Sequence, residues 1–346
     1  MLRIAVLGAG RIAKIHAANV AAHPNATLVL VADPWREGVD ALSSQLGCEA
    51  AYDCAAVLSR EDIDAVVIGT PTDTHIDLLL AAVAAGKAVL CEKPIDLDIA
   101  KARSAAKAVE RQGGQVMLGF NRRFDPDMLR LRQALDAGQI GAVRQVIITS
   151  RDPGLAPRDY LAHSGGILRD MTIHDFDTAR HLLGEEPVEV SAIASRLVDP
   201  SLAEIDDYDS VMVLLRTASG KQCHINCCRQ AVYGYDQRVE VSGASGVLLT
   251  DNHRPSTLRH WSAEHTEALE PLQHFFLERY ADAYRNELTQ FIDALNSDLP
   301  LPTTMRDGLY ALHLADCALE SVKSGFRCWL LHKYRYRRST TGPPVP

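Results

Sequence analysis

Short apolar runs alternate with stretches of helical spacing through the first 120 residues. Residues 3–7 form an apolar run that stops at Gly8, and a helical stretch over about 11–22 ends at the turn cluster His23-Pro24-Asn25. Residues 26–32 (Ala-Thr-Leu-Val-Leu-Val-Ala) are apolar over much of their length, as in a strand covered on both faces. The same reading predicts strands over 65–69, 88–91 and 115–119, with helices over 74–85 and 98–112 closed by Gly86 and by Gly113-Gly114. Strand and helix in alternation with short loops predict an α/β N-terminal domain on a doubly wound parallel sheet, residues 1–120.

Beyond Phe120 the pattern changes. A helix over 126–137 leads into a strand over 143–150, and residues 165–183 keep helical spacing up to Gly184. From 187 to 250 strand-like segments follow one another with turn signals at 218–220, 233–235 and 243–246, which predicts a mostly antiparallel open sheet. Helices over 277–296 and 305–323 complete an α+β C-terminal domain, residues 121–330. Residues 331–346 carry Lys333, Arg335, Arg337 and Arg338 ahead of a Thr/Gly/Pro-rich end, which reads as a disordered basic tail.

Composition narrows the function classes. At 346 residues the chain has room for about two domains, and 47% hydrophobic with 23% charged residues is ordinary for a soluble globular protein. A net charge of −8 makes it a poor partner for a nucleic-acid backbone. No apolar run reaches the ~20 residues of a membrane helix, and Gly8, Gly10, Arg11 and Lys14 interrupt any secretory apolar region. A cytoplasmic location without membrane contact is expected, with the eight cysteines as reduced thiols. Cys223-x-x-x-Cys227-Cys228 lies in an alternating, strand-like segment. Strand residues four apart sit roughly 13 Å apart, too far to chelate one ion, so no metal site is expected there.

Three places carry candidate chemistry. Gly8-Ala9-Gly10-Arg11-Ile12-Ala13 is G-x-G-x-x-A between a strand and a helix, the setting in which backbone and helix N-terminus receive a dinucleotide pyrophosphate. Asp33 ends the second strand 20 residues after Ala13, where a carboxylate hydrogen-bonds a ribose 2′-hydroxyl and repels a 2′-phosphate; NAD is favoured over NADP, with Arg36 nearby as the opposing signal. Thr70, Pro71 and His75 follow one strand and Glu92-Lys93-Pro94 another, so both loops line the crevice beyond the strands' carboxyl ends. Finally, Asp170 and His174 stand four apart in a helical stretch, sharing a face, where a carboxylate can orient an imidazole for acid–base work. Taken alone, that pair reads first as an ordinary surface pair or a packing histidine.

As an ordered set these motifs, with Gly119-Phe120-Asn121-Arg122-Arg123-Phe124-Asp125 and Gly166-x6-Ile173-His174-Asp175, resemble the glucose-fructose oxidoreductase / inositol dehydrogenase / rhizopine catabolism family over about residues 1–330. The 119–125 segment, the Asp170–His174 pair and Tyr233-Gly-Tyr235-Asp236 are most similar to its inositol dehydrogenase branch. The resemblance implies a Rossmann domain binding NAD and an α+β domain whose open sheet mediates a homo-oligomer, a dimer or tetramer. It implies oxidation of a polyol secondary alcohol, myo-inositol to its 2-keto product before scyllo-inositol, a pyranose or an amino-substituted inositol. A non-catalytic NAD-binding sensor of the same fold is the alternative from another class. By the same resemblance His174 is the acid/base, Asp170 orients it and Lys93 stabilises the reacting oxygen, while Arg122, Asp152 and Tyr235 contact substrate. Asp152 and the preceding Ser150-Arg151 depart from relatives that carry a neutral amide at the position of Asp152.

Overall fold

In the computed structural model, which describes residues 1–330, strand and helix alternate from the start. The order is β1 (Leu2–Leu7), α1 (Arg11–Ala22), β2 (Ala26–Ala32), α2 (Arg36–Leu46), β3 (Glu49–Ala51), α3 (Cys54–Val57), β4 (Ala65–Ile68), α4 (His75–Ala84), β5 (Ala88–Glu92), α5 (Ile99–Gln112) and β6 (Val116–Gly119). The strands form one six-stranded sheet in the order β3-β2-β1-β4-β5-β6, every pair parallel. β4, β5 and β6 are buried along their whole length, which is why their sequences are apolar runs, broken only by Glu92 at the end of β5. The order reverses between β1 and β4, leaving a crevice beyond the strand ends where Gly8, Thr70 and Lys93 lie. The three-residue β3 has too short a pattern to be legible in sequence.

The second sheet is mixed, as expected mostly antiparallel. After α6 (Pro126–Asp136) come β7 (Val143–Arg151), α7 (Arg158–His163), α8 (Ile167–Asp170), α9 (Thr172–Leu183), β8 (Pro187–Ser195), β9 (Ser210–Thr217), β10 (Gln222–Cys228), β11 (Asp236–Gly243), β12 (Val247–Thr250), and a two-stranded ribbon of β13 (Arg259–His260) with β14 (Ala268–Leu269). α10 (Phe276–Arg279), α11 (Ala281–Ser297), α12 (Met305–Ser324) and β15 (Cys328–Trp329) complete the described chain. The sheet runs β12-β11-β7-β10-β9-β8-β15, with only β7 and β10 parallel. Its inner face packs on α9 and α12, while Ile147, Ile193, Met212, Leu214 and Leu249 stand exposed outside. α11 returns to the first sheet, where Leu288, Phe291 and Ile292 share a core with α1 and β1. The basic segment 331–346 lies outside the described residues.

Two predicted helices are each broken in two. The stretch 165–183 starts with Gly165 and Gly166, both at positive φ, and is interrupted at Met171 (φ −99°) between α8 and α9. The stretch from 277 breaks at Tyr280 (φ −109°, ψ 18°) before α11 begins. In both places tertiary contacts of the following residues outweigh helical spacing.

Candidate active site

The crevice is shaped first by two glycines. Gly8 has φ +115°, and a Cβ there would lie 2.7 Å from the Gly69 carbonyl oxygen, so β1 and β4 approach as closely as they do only without a side chain. At Gly10, in extended conformation at the start of α1, a Cβ would meet nothing within 4 Å. The space before the helix N-terminus is open, and no side chain caps its amides, as a pyrophosphate requires. Arg11 and Ile12 form that first turn. Asp33 accepts from the backbone amides of Ala9 (2.9 Å) and Trp35 (2.8 Å), which holds its carboxylate against the glycine loop. Arg36 lies 4.1 Å over the Tyr52 ring, engaged away from Asp33's bonds.

The β4 and β5 loops are tied together by a residue that sequence reading placed among the crevice lining. His75 is 1% exposed, its ring nitrogens 2.9 Å from the carbonyl oxygens of Thr70 and Pro94. Burial lowers its pKa, so the neutral ring donates to one carbonyl at a time. Thr74 donates to the Pro71 carbonyl and pairs with Thr70, closing the Thr70-Pro71 turn. Glu92 turns inward: one carboxylate oxygen is 2.8 Å from His16 Nε2 and the other accepts from the Lys93 amide.

Lys93 itself reaches across to the second sheet's side. Its ammonium donates to the backbone carbonyl of Asp170 at 2.8 Å and lies 4.0 Å from the Asp170 carboxylate. That carboxylate accepts from the Tyr160 hydroxyl (2.7 Å) and from Arg229 (3.1 Å). Arg229, only 2% exposed, also pairs with Asp207, which caps Ile167 and so fixes the start of α8. Because Met171 interrupts the helix, Asp170 and His174 do not form the ladder that their spacing suggested; no hydrogen bond joins them among the described residues. His174 packs edge-on to Phe120 and its Nδ1 is buried without a partner. Burial, then the charges of Lys93 and Arg122, push its pKa well below the usual value, which keeps the imidazole neutral and able to accept a proton.

Arg122 is spent on a buried pair, 2.5 Å from Asp175, with Ser150 Oγ at 3.3 Å and the Tyr280 ring beneath it. Tyr235 packs edge-on to Tyr280 and Phe275. Asp152 sits just past β7 with its backbone clamped to Cys228 and Ala231, while its carboxylate accepts no hydrogen bond from any described residue. Burial and the Asp170 charge push its pKa up to about 7, against the pull of Arg122 and Arg229. Sequence reading missed Tyr160 and Arg229. Their shared partner Asp170 is 10 and 59 residues away, beyond the reach of any local pattern.

Residues 2–120 match an oxidoreductase family with an NAD-binding Rossmann fold, and residues 128–249 match the GFO/IDH/MocA C-terminal domain. The chain belongs to the GFO/IDH/MocA family. It is 49% identical over 322 residues to an inositol 2-dehydrogenase of Rhizobium meliloti, covering 93% of this chain and 97% of that one. A myo-inositol dehydrogenase structure from Corynebacterium glutamicum superposes with a TM-score of 0.92 at 46% identity, over 95% and 99% of the two chains. A scyllo-inositol dehydrogenase from Lactobacillus casei, solved with NAD(H) and scyllo-inositol, gives 0.89 at 28% identity over 95% and 99%. The GFO/IDH/MocA match places the glycine loop and Asp33 in its NAD-binding half. Asp152, Asp170, His174 and Arg229 lie in its C-terminal half.

Proposed function

We propose that this family member oxidises a secondary hydroxyl of a cyclitol to a ketone with NAD, acting on myo-inositol to give the 2-keto product. The carrying observation is that Lys93, Asp170 and His174, from β5 and the α8–α9 junction, are brought to one place beyond the strand ends of the NAD crevice. NAD, when bound, supplies the hydride acceptor. His174, neutral and close to Lys93, takes the hydroxyl proton. The Lys93 ammonium, held by the Asp170 carbonyl, donates to the reacting oxygen and stabilises its negative charge. Asp170 keeps that ammonium in place and hydrogen-bonds a neighbouring hydroxyl of the substrate. Arg122, Asp152 and Tyr235 contact the remaining hydroxyls, Arg122 through a guanidinium already fixed by Asp175.

Asp33 supports NAD over NADP, since one of its oxygens is held by the glycine-loop amide of Ala9 and the other by Trp35, which keeps the carboxylate where a 2′-phosphate would be repelled. The exposed apolar row on the second sheet supports a homo-oligomer. The unpaired state of all eight cysteines supports a cytoplasmic location. A panel of inositols and sugars assayed by NADH absorbance with NAD and NADP side by side tests the reading. Turnover of myo-inositol with NAD is expected; good glucose turnover with none of myo-inositol, or equal rates with NADP, would overturn it.

A further inference from the structure

We propose, resting on the cyclitol dehydrogenase reading, that His16 is a positioning residue for Lys93. From the second turn of the glycine-loop helix α1 it holds the Glu92 carboxylate, whose other oxygen holds the Lys93 amide. His16 Nε2 lies 2.8 Å from one Glu92 oxygen, and the Lys93 amide donates to the other at 3.3 Å. His16 is 0% and Glu92 7% exposed, so water does not compete for the bond between them. Glu92 has little room to move. A Cβ at Gly119 on β6 would lie 3.1 Å from its carboxyl carbon and from that second oxygen, so the bare backbone of β6 is the wall it rests on. The His16 ring is fixed in turn by Tyr284 of α11, edge-on with centroids 5.6 Å apart.

A second carboxyl is what makes the histidine necessary. Glu287 of α11 is fully buried, neither of its oxygens has a partner, and it comes within 4.8 Å of the His16 and Glu92 ligand atoms. Tyr284, a turn earlier on α11, also faces it. The surroundings are apolar, since α1 and α11 share a core through Ala13, Ala17, Leu288 and Phe291. Two carboxyls so close in an apolar core do not both ionise; one keeps a proton. Glu92 has two donors and Glu287 none, so the charge stays on Glu92 and the proton on Glu287. Burial and the Glu92 charge raise the Glu287 pKa in the same sense. His16 thus decides which carboxyl is the acceptor. Without its N–H the proton is as well placed on Glu92, which then releases the Lys93 amide.

Lys93 is thereby fixed at both ends, its amide by Glu92 and its ammonium by the Asp170 carbonyl at 2.8 Å. Losing the first anchor lets the ammonium drift from the reacting oxygen, and a preorganised donor is sensitive to small displacements. Because His16 stands on the helix whose N-terminus faces the NAD crevice, the lysine is aligned with the cofactor's helix as well as with its own strand.

The test uses two side chains of similar size on the full chain. His16→Gln keeps an N–H where Nε2 stands, whereas His16→Met fills the space without a donor. H16M is expected to lower kcat for myo-inositol by about tenfold or more. Its deuterium isotope effect on kcat, with inositol deuterated at the reacting carbon, should rise because hydride transfer becomes the slower step. Hydrogen exchange at the Lys93 amide with NADH bound, read by fragmentation mass spectrometry, should quicken about tenfold or more. H16Q should stay close to wild type in all three. Should H16M not fold, His16→Asn, polar but one methylene too short to reach Glu92, replaces it with the same expectations. Wild-type kcat and isotope effect in the donor-less variant, unchanged Lys93 exchange, or an H16Q as impaired as H16M would each overturn the proposal. So would one equivalent of a divalent metal in the purified wild type that is lost in H16M, because Nε2 would then be a ligand and not a donor. A wild type that turns over no cyclitol refutes the dehydrogenase reading alone; exchange at the Lys93 amide still decides whether His16 holds the lysine.

Discussion

The Lys93 ammonium is bonded to the backbone carbonyl of Asp170, not to its carboxylate, at 2.8 Å against 4.0 Å. A charge on β5's outgoing loop is thereby positioned by the C-terminal end of α8, the electronegative end of that short turn. In the proposed reaction, removing the ammonium removes a preorganised donor to the reacting oxygen. Lys93→Met is expected to lower kcat by roughly 10²–10³ while NAD affinity changes little. Steady-state kinetics with fluorescence titration of NADH checks both; a kcat within threefold of wild type removes Lys93 from the reaction.

Tyr160 and Arg229 hold the two carboxylate oxygens of Asp170. Tyr160 is about half exposed, so Tyr160→Phe should leave the melting temperature unchanged. Loss of one bond to a charged acceptor, about 1–1.5 kcal/mol, should reduce kcat/KM roughly five- to tenfold through the polyol KM. An effect on stability without one on KM would make Tyr160 a structural residue only.

Glu287 is fully buried, both its oxygens lack partners, and it lies within 4.8 Å of the His16 and Glu92 ligand atoms. Burial, then the Glu92 charge, raises its pKa well above the ordinary 4.5. For a carboxyl so raised, stability is complete below pH 4.5 and is lost as pH climbs towards the folded value, by up to about 1.4 kcal/mol per unit. Glu287→Gln mimics the protonated acid. It should melt higher than wild type at pH 8 and converge with it near pH 4.5, as thermal scans across that range will show. Equal melting temperatures at both pH values would contradict the shift.

Gly8 offers a test of the crevice itself. At φ +115°, with 2.7 Å to the Gly69 carbonyl oxygen, alanine is both strained and crowded. Gly8→Ala should cost about 1–3 kcal/mol of stability and weaken NAD binding, because the loop must retreat from β4. Gly10→Ala, which meets no protein atom, should fold normally yet still lose NAD affinity, since its new methyl fills the space left for the pyrophosphate. Normal NAD affinity in Gly10→Ala would place the dinucleotide elsewhere.

Local pattern carried the first sheet almost entirely. Strands buried on both faces read as continuous apolar runs, and the turns between them carry glycine or proline, so β1, β2, β4, β5 and β6 and the helices α1, α4 and α5 were legible to within a residue at each end. The positions of the glycine loop, Asp33 and Lys93 were legible for the same reason, because each sits at a strand end, where the parallel sheet opens its crevice. The Asp170–His174 pair was legible as two residues but not as an arrangement. Helical spacing set them on one face, whereas Gly166 and Met171 break the helix and turn the Asp170 carboxylate towards Tyr160 and Arg229.

By itself, then, the sequence determined the parallel α/β half and the glycine-loop motif and supplied the candidates for the proposed site, since these depend on neighbours close along the chain. Only the tertiary structure decided what those side chains touch. Arg229 reaches Asp170 across 59 residues, Lys93 reaches it across 77, and Glu287 reaches Glu92 from α11, between β12 and β15 of the second sheet. Charge pairing and desolvation depend on distance in space, and no local pattern encodes them. For that reason Asp152 is an ordinary acid in the sequence and the unpaired carboxylate of the site in the fold.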